Sequence, residues 1–266
     1  MLNPFTDIIN QVLSEPQAGL LNGILFGTKA TLPADFYQAL ITTGTVHIIA
    51  LSGQNISILA RILSEITLGL GRRVSLLITI IGIVLFVCFV GIQPPVVRAA
   101  VMGSMSLVAV YFGKQYYALL ALLLTSLMLL IIAPEWVFSI SFQLSFLATL
   151  GIILLVKSSP QKARDWRQEL RADLVLNLKT TLAAQFFTVP VVFFNFRTIS
   201  LVAPLTNILI APMIVPIMIS GFILSLAGVV NASLAHLMSL VVWVPLTYLI
   251  FVIKLTAAVP WAAVRF

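Results

Sequence analysis

The sequence predicts an all-α integral membrane protein, a polytopic bundle of about seven or eight transmembrane helices. Of its 266 residues, 61% are hydrophobic and only 9% are charged, with a mean hydropathy of +1.13. Soluble domains carry about 25% charged residues, so a soluble fold could not hide this much apolar surface from water. The apolar runs are long and continuous, which favours helices over the alternating strands of a membrane barrel.

Residues 1–44 are less hydrophobic than the rest and predict an amphipathic, interfacial N-terminal segment. Five apolar residues recur at helical spacing: Phe5, Ile8, Ile9, Val12 and Leu13. This spacing predicts a short helix with one apolar face, which ends before Pro16. Another helix is expected to close at Gly44. We expect the segment to lie on the membrane surface or to cover a cavity.

The remaining residues, 45–266, predict a transmembrane domain. Its apolar stretches predict spans at 45–62, 74–90, 96–112, 116–133, 139–156, 180–196, 201–229 and 234–253. Pro204, Pro212 and Pro216 fall within one of these stretches. Because proline removes a helical hydrogen bond, they predict broken helices in this part of the domain.

Loop charges predict the orientation. Positive loops alternate with neutral or negative loops through the first five predicted spans, as the positive-inside rule requires. Segment 157–179 holds six basic and three acidic residues and is expected in the cytoplasm, with the N-terminal segment outside. A cytoplasmic basic surface is predicted from Lys162, Arg164, Arg167 and Arg171. This surface fits an interfacial helix on anionic lipid, or a surface at which DNA leaves.

A polar cluster in the first predicted span is the strongest candidate for function, because polar groups are costly in hydrocarbon. The cluster comprises His47, Ser52, Gly53, Gln54, Asn55 and Arg61. On a continuous helix, His47, Gln54 and Arg61 would share one stripe. Glu65 lies four residues after Arg61, at a spacing that allows pairing. The alternative is a hydrogen-bonded network between packed helices.

Four further polar residues lie in later spans. Arg98 either snorkels to the outer interface or points inward near a pore mouth. Gln143 and Ser145 belong to the fifth predicted span, where small hydroxyl residues commonly serve helix packing. Asn207 lies in the proline-rich stretch. Together with the cluster at 47–61, these residues are predicted to line a channel.

Several classes of chemistry are excluded by what the sequence holds. The two histidines are far apart and Cys88 is alone, so we predict no metal site, no disulfide and no redox centre. No glycine-rich phosphate or dinucleotide motif occurs. We therefore expect no enzymatic activity, no catalytic residue and no cofactor.

Taken in order, several motifs resemble the membrane competence domain of ComEC-type DNA-uptake proteins. They are Gly27, the stretch 43–53 (TGTVHIIALSG), Arg98-Ala99, Pro134 followed by 142–146 (FQLSF), and 200–212 with Pro204 and Asn207. The resemblance covers nearly the whole chain. One departure is Gln54-Asn55, where the family usually has Leu-His, which puts any role of that second histidine in doubt.

The resemblance implies a channel in the bacterial cytoplasmic membrane that passes single-stranded DNA into the cytoplasm during natural transformation. Implied partners are single-stranded DNA, the lipid bilayer and other proteins of the competence machinery. Longer members add an OB-like domain and a nuclease domain, neither of which this sequence shows, so the resemblance implies the permease core.

Two other functions remain open at this stage. A small-solute or ion transporter would also use interrupted helices and polar groups at mid-membrane. A non-transporting scaffold of a DNA-uptake complex would explain the lack of a nuclease domain.

Overall fold

The computed structural model describes residues 4–28, 32–49, 53–156 and 166–265, and these residues are mostly α-helical. The α-helices are α1 (Pro4–Val12), α2 (Gln17–Phe26), α3 (Ala34–Thr42), α4 (Gly53–Thr67), α5 (Arg72–Val90), α6 (Pro94–Tyr111), α7 (Ala118–Ile132), α8 (Ile140–Leu155), α9 (Trp166–Phe196), α10 (Ala203–Val230) and α11 (Ala232–Ala257). Three 3₁₀ helices are η1 (Val46–Ile48), η2 (Leu68–Leu70) and η3 (Pro134–Phe138), and two strands are β1 (Thr198–Ser200) and β2 (Ala263–Arg265).

Five helices of the described chain are long and apolar enough to cross a membrane, so the chain is a multi-pass membrane protein. They are α5, α6, α10, α11 and the part of α9 from Arg171 to Asn195. Helices α7 and α8 are apolar but have 15 and 16 residues. At 1.5 Å per residue they reach about 22–24 Å, less than a bilayer core of about 30 Å. The predicted total of seven or eight spans stays a prediction.

The predicted span at 45–62 is wrong as one continuous helix. Helix α3 ends at Thr42, η1 follows at Val46–Ile48, and α4 begins at Gly53. Gly44 adopts φ +67°, which an L side chain rarely adopts, and this ends α3. The buried hydroxyls of Thr43 and Thr45 lie 2.8 Å apart, and Thr43 also donates to α3 carbonyls. The turn therefore satisfies its own polar groups instead of continuing a helix.

Helix α10 runs without a break from Ala203 to Val230 and contains both Pro212 and Pro216. Neighbouring hydroxyls supply donors near the two prolines. Tyr248 of α11 donates to the Leu209 carbonyl at 3.1 Å, and Ser220 donates to the Pro216 carbonyl at 2.6 Å. The carbonyls that the prolines leave without a helical N–H donor are those of Ile208 and Pro212, so these two bonds add to the helix near the prolines and do not replace the lost ones. The broken helices predicted from the prolines are not confirmed.

The chain divides into two compact units. The first unit contains residues 1–51, 164–181 and 196–266, and the second contains 52–163 and 182–195. The first is built around the antiparallel pair α10 and α11, with α1 and α2 packed on it. Strand β2 pairs antiparallel with β1, which ties the end of the chain to the start of α10.

The N-terminal segment of the first unit follows the α10–α11 pair from one end to the other. The predicted amphipathic helix is confirmed as α1, and its Ile8 fits against Gly228 near the end of α10. In α2, the Gln17 amide donates to Thr247 at 3.3 Å. In α3, Asp35 lies 3.9 Å from Lys254 near the end of α11. Because α10 and α11 are antiparallel, α1 and α3 contact opposite ends of the pair.

The second unit packs α4 to α8 with the last part of α9. Two glycines allow close approach of its helices. Gly82 of α5 faces Leu63 of α4, and Gly151 of α8 faces the Ala183 backbone carbonyl and the Phe187 ring of α9. Small residues at such crossings are typical of membrane helix pairs, because close backbone approach maximises van der Waals contact.

Candidate functional site

Arg98 is buried inside the second unit. Helix α6 begins with Pro94 and Pro95, which suit the first turn of a helix because their missing N–H groups would have no acceptor there. Arg98 follows one turn later and is only 7% exposed. The side chain therefore packs against protein within the unit, and its predicted place near a pore mouth stays a prediction.

The Arg98 guanidinium has few protein acceptors. Its Nε donates to the Ser145 hydroxyl of α8 at 3.0 Å, and its Nη1 lies 3.5 Å from the Met102 sulfur, a weak acceptor. No carboxylate in the described ranges lies within 4 Å of it. Burial of a cation away from water is costly unless an anion or several acceptors accompany it. The side chain therefore offers unused donor capacity.

Tyr116 lies near enough to feel the Arg98 charge but does not supply an anion. Partial burial raises the pKa of the Tyr116 phenol above its ordinary value, and the positive charge of Arg98 opposes this rise more weakly. Above its ordinary value of about 10, the phenol is neutral at physiological pH. Arg98 thus remains without a counter-charge from this neighbour.

Gly53, at the start of α4, lies directly beside the guanidinium. An ideal Cβ on Gly53 would stand 3.5 Å from Arg98 Nη2 and 3.1 Å from the Ala99 Cβ. The first N–H groups of a helix have no acceptor within the helix, and its N-terminus carries a partial positive charge. The site therefore combines a buried guanidinium with the N-terminus of a 15-residue helix.

The other predicted residues of the second unit have separate surroundings. Gln143 is half-buried, and its amide lies 3.4 Å from the Val137 carbonyl. Two positions along α8 separate it from Ser145 by about 200°, so the two do not share a face. Asn55 is buried, with 4% exposure. The Gln54 side chain and the whole of Ser52 lie outside the described residues.

Arg61 lies on the exposed surface of α4. Its Nε donates to the Glu65 carboxylate at 2.8 Å, so the pairing predicted from their spacing is confirmed. This hydrogen bond, with the charge of Glu65, raises the pKa of Arg61. Because the pair is exposed, it contributes little to stability. The Glu65 carboxylate offsets the charge of Arg61, whereas no carboxylate of the described residues lies within 4 Å of Arg98.

His47 belongs to the first unit and lies outside the five candidate spans. Its Nδ1 is 3.1 Å from the Gly44 carbonyl, and because a carbonyl only accepts, the neutral ring carries its hydrogen on Nδ1. The ring is exposed at its edge to solvent, but many protein atoms surround it at a greater distance and exclude water from its neighbourhood. This desolvation lowers the pKa of His47, and the Gly44 hydrogen bond opposes the change more weakly. The imidazole is therefore neutral at pH 7.

Asn207 also belongs to the first unit, in the second turn of α10. It is half-buried, and its Oδ1 is buried without a hydrogen-bond partner in the described part of the chain. The predicted channel residues are thus divided between the two units, with His47 and Asn207 in the first and the remainder in the second. That they line one channel stays a prediction.

The predicted basic surface is only partly described. Arg171 is exposed on α9, whereas Lys162 and Arg164 lie outside the described residues, as does the Arg167 side chain. The described residues contain no group of three or more potential metal ligands.

The sequence did not indicate Met102 and Tyr116 as neighbours of Arg98. Met102 follows Arg98 by four residues, a spacing that could have indicated it, but no local pattern marks Tyr116.

Comparison with known proteins decides the family. A family model described as Competence protein matches residues 24–266. The chain belongs to the Competence protein family. The resemblance drawn from the ordered motifs is thereby confirmed.

Two relatives of this Competence family chain are longer proteins. Over 228 residues it is 25% identical to ComE operon protein 3 of Bacillus subtilis (strain 168), covering 85% of this chain and 28% of that protein. Over 135 residues it is 32% identical to an uncharacterized protein of Aquifex aeolicus (strain VF5), covering 50% of this chain and 32% of that protein. The matched regions thus span less than a third of either relative. No solved structure matches the chain.

Proposed function

We propose that this chain forms the membrane core of a channel that passes single-stranded DNA into the cytoplasm during natural transformation. Membership in the Competence protein family and the multi-pass helical architecture support this proposal. The observation that carries it is Arg98, a cation buried among membrane helices with no carboxylate within 4 Å in the described chain. A DNA backbone would bring the negative charge that this cation lacks.

The cellular setting follows from the same proposal. A DNA channel of this kind belongs in the bacterial cytoplasmic membrane, with lipid around its apolar helices and single-stranded DNA as its substrate. The six basic residues of segment 157–179 support a cytoplasmic location for that segment. Separate OB-like and nuclease domains, and other proteins of the competence machinery, would process the DNA. The chain itself would transport without catalysing a reaction.

Charge in the second unit favours an anionic substrate over a cation. The sequence of this unit holds seven basic residues and only two acidic ones, Glu65 and Glu135. Glu65 pairs with Arg61, and Glu135 is exposed. Transporters that couple to protons or sodium commonly place carboxylates at mid-membrane, and the described spans of this unit hold none.

The test replaces Arg98 with glutamine and measures transformation by cells that carry the variant. Because a hydrogen bond to a charged group contributes about 1.5–3 kcal/mol, we expect DNA uptake to fall by about tenfold or more. Lys114→Gln is the matched control, since it removes one exposed positive charge from the loop between α6 and α7. Both variants should insert into the membrane at wild-type levels.

Purified protein in vesicles separates the competing functions. Entry of labelled single-stranded DNA supports the channel, and flux of small solutes or ions without DNA entry would favour a transporter. A protein that passes neither would be a scaffold of the uptake complex. Transformation by Arg98→Gln at the level of Lys114→Gln would contradict the role given to Arg98.

A further inference from the structure

We propose that the polar face of α1 lines a water-filled vestibule that reaches the middle of the bilayer. Four exposed residues of the first unit define this face: Asn10, Gln11, Ser14 and Glu15. The vestibule opens at the end of the unit where α10 turns into α11. Such an entrance suits a DNA channel and a solute transporter equally, so the vestibule goes beyond the proposed function and does not rest on it.

Helices α1 and α2 form an antiparallel hairpin. The rings of Phe5 and Phe26 stack with their centroids 6.2 Å apart, and the Asn22 side-chain amide donates to Asn10 Oδ1 at 2.8 Å. A later residue of α1 thus pairs with an earlier residue of α2. The chain reverses between the two helices, so residues 13–16 form the tip of the hairpin.

The hairpin extends along the α10–α11 pair from the end at which these two helices are joined. Helix α1 starts beside Gly228, near the end of α10. Farther along, Ser14 and Trp243 of α11 line one cavity of about 330 Å³. Just beyond the tip, Gln17 donates to Thr247 at 3.3 Å. The tip therefore lies beside the part of α11 between residues 239 and 247.

The length of α11 converts this position into a depth in the membrane. The exposed ion pair between Lys254 and Asp35 marks the end of α11 that faces water, opposite the turn to α10. From residue 232 to residue 254 the helix rises about 33 Å, close to the bilayer core of about 30 Å. Trp243 lies about 16 Å from residue 232, and Thr247 about 22 Å. The tip of the hairpin is therefore at mid-membrane depth.

The exposed face of the hairpin is unsuited to lipid at this depth. Asn10 and Gln11 lie opposite the apolar face of α1, and Ser14 and Glu15 follow at the tip. The Glu15 carboxyl group accepts one hydrogen bond, from the Gly19 N–H at 3.1 Å, and no basic residue of the described chain lies within 4 Å of it. Such groups are costly against lipid chains, which offer no hydrogen bonds. Water supplies the missing partners.

Asn22 gives an independent indication of water. It is 2% exposed, and its Oδ1 is buried without a hydrogen-bond partner in the described chain. Its amide nitrogen bonds to Asn10, which belongs to the exposed face. Buried polar groups nearly always have a partner, and ordered water is a common one where protein supplies none. A vestibule along Asn10 brings water close to this oxygen.

The experiment measures how fast a trimethylammonium methanethiosulfonate reacts with single cysteines. Full-length protein in a Cys88→Ser background is held in phosphatidylcholine nanodiscs, which leave both membrane faces open. The test variant is Ser14→Cys. The matched control is Val241→Cys, which lies at the same depth on α11 and between two exposed apolar residues, Leu237 and Val244. Because a charged reagent and a thiolate are both costly in hydrocarbon, we expect Ser14→Cys to react about hundredfold faster.

Two further measurements keep the comparison secure. Labelling again after unfolding in SDS shows that each thiol is intact. Ser14→Asp and Val241→Asp form a second pair that needs no cysteine. We expect Ser14→Asp to fold at wild-type yield and Val241→Asp to lose yield, because only the vestibule hydrates the added carboxylate.

Three outcomes would overturn the vestibule. If Ser14→Cys reacts as slowly as Val241→Cys, lipid or protein covers the tip. If Val241→Cys reacts as fast as Ser14→Cys, this end of the α10–α11 pair lies outside the bilayer. Equal loss of yield in the two aspartate variants would exclude water at the tip. None of these results depends on transformation by Arg98→Gln, so the vestibule and the proposed function can fail separately.

Discussion

At the scale of single residues, polar side chains inside the apolar helices fall into two groups. Many hydroxyls donate to a carbonyl of their own helix, as Thr149 does to Ser145 and Thr256 does to Val252. Others bond between helices, and Tyr248 of α11 is the clearest case because its acceptor lies on α10. Hydrogen bonds between membrane helices contribute modestly, at about 0.6 kcal/mol on average.

The Tyr248→Phe variant tests whether this hydroxyl stabilises α10 near Pro212. We expect a loss of about 0.6 kcal/mol in the free energy of unfolding, because the variant loses the hydrogen bond between α11 and α10. Unfolding in mixed detergent with increasing SDS measures it. Tyr37→Phe is the control, since the Tyr37 hydroxyl has no hydrogen bond to a described residue. Equal stability of the two variants would show that the Tyr248 contact contributes nothing.

Local spacing predicted some residue contacts and missed others. The Arg61–Glu65 pair follows from a four-residue separation on a helix, so the sequence contains all that is needed to find it. Arg98 and Ser145 are 47 residues apart, and their contact depends on how α6 and α8 pack. The sequence therefore identified both residues as candidates but not as partners.

At the scale of elements, helix crossings depend on glycines. Gly151 brings α8 so close to α9 that a Cβ there would overlap the Ala183 carbonyl oxygen and touch the Phe187 ring. A backbone carbonyl cannot rotate away as a flexible side chain can. The crossing therefore tolerates no larger residue without a shift of one helix.

Gly151→Ala should destabilise the protein by about 1–3 kcal/mol through overpacking. Gly103→Ala is the control, because both changes replace a glycine within a helix and share any gain in helix propensity. At Gly103 the added Cβ would make only an ordinary van der Waals contact with Ile56. The difference in SDS unfolding between the variants isolates the clash, and no difference would mean that the helices separate at little cost.

At the scale of the whole molecule, the contacts of the N-terminal segment bear on its orientation. If segment 157–179 is cytoplasmic, the α9 span carries the chain outside and α10 returns it, so the turn near residue 231 is cytoplasmic. Helix α1 contacts α10 near that turn, and α3 contacts the opposite end of the α10–α11 pair. We therefore expect the N-terminal segment to cross the bilayer from α1 inside to α3 outside, and not to lie wholly outside.

Cysteine labelling tests this topology. In a Cys88→Ser background, single cysteines at the exposed positions Gln11, Gln38 and Ser233 are treated with a membrane-impermeant maleimide on intact cells. We expect Gln38→Cys to react from outside, and Gln11→Cys and Ser233→Cys to react only after permeabilisation. Reaction of Gln11→Cys and Gln38→Cys from the same side would contradict a segment that crosses the bilayer and would support the interfacial segment that the sequence predicts.

The sequence by itself determined that this is a helical membrane protein of the competence type, because apolar runs and ordered motifs are local properties of the chain. It also selected Arg98 as a residue of interest, because a charge in an apolar span is conspicuous in any context. Only the tertiary structure decided that Arg98 packs against protein within its unit, that Gly53 lies beside it and that α1 and α3 contact opposite ends of one helix pair. These facts depend on contacts between residues far apart in sequence, which periodicity and composition do not encode.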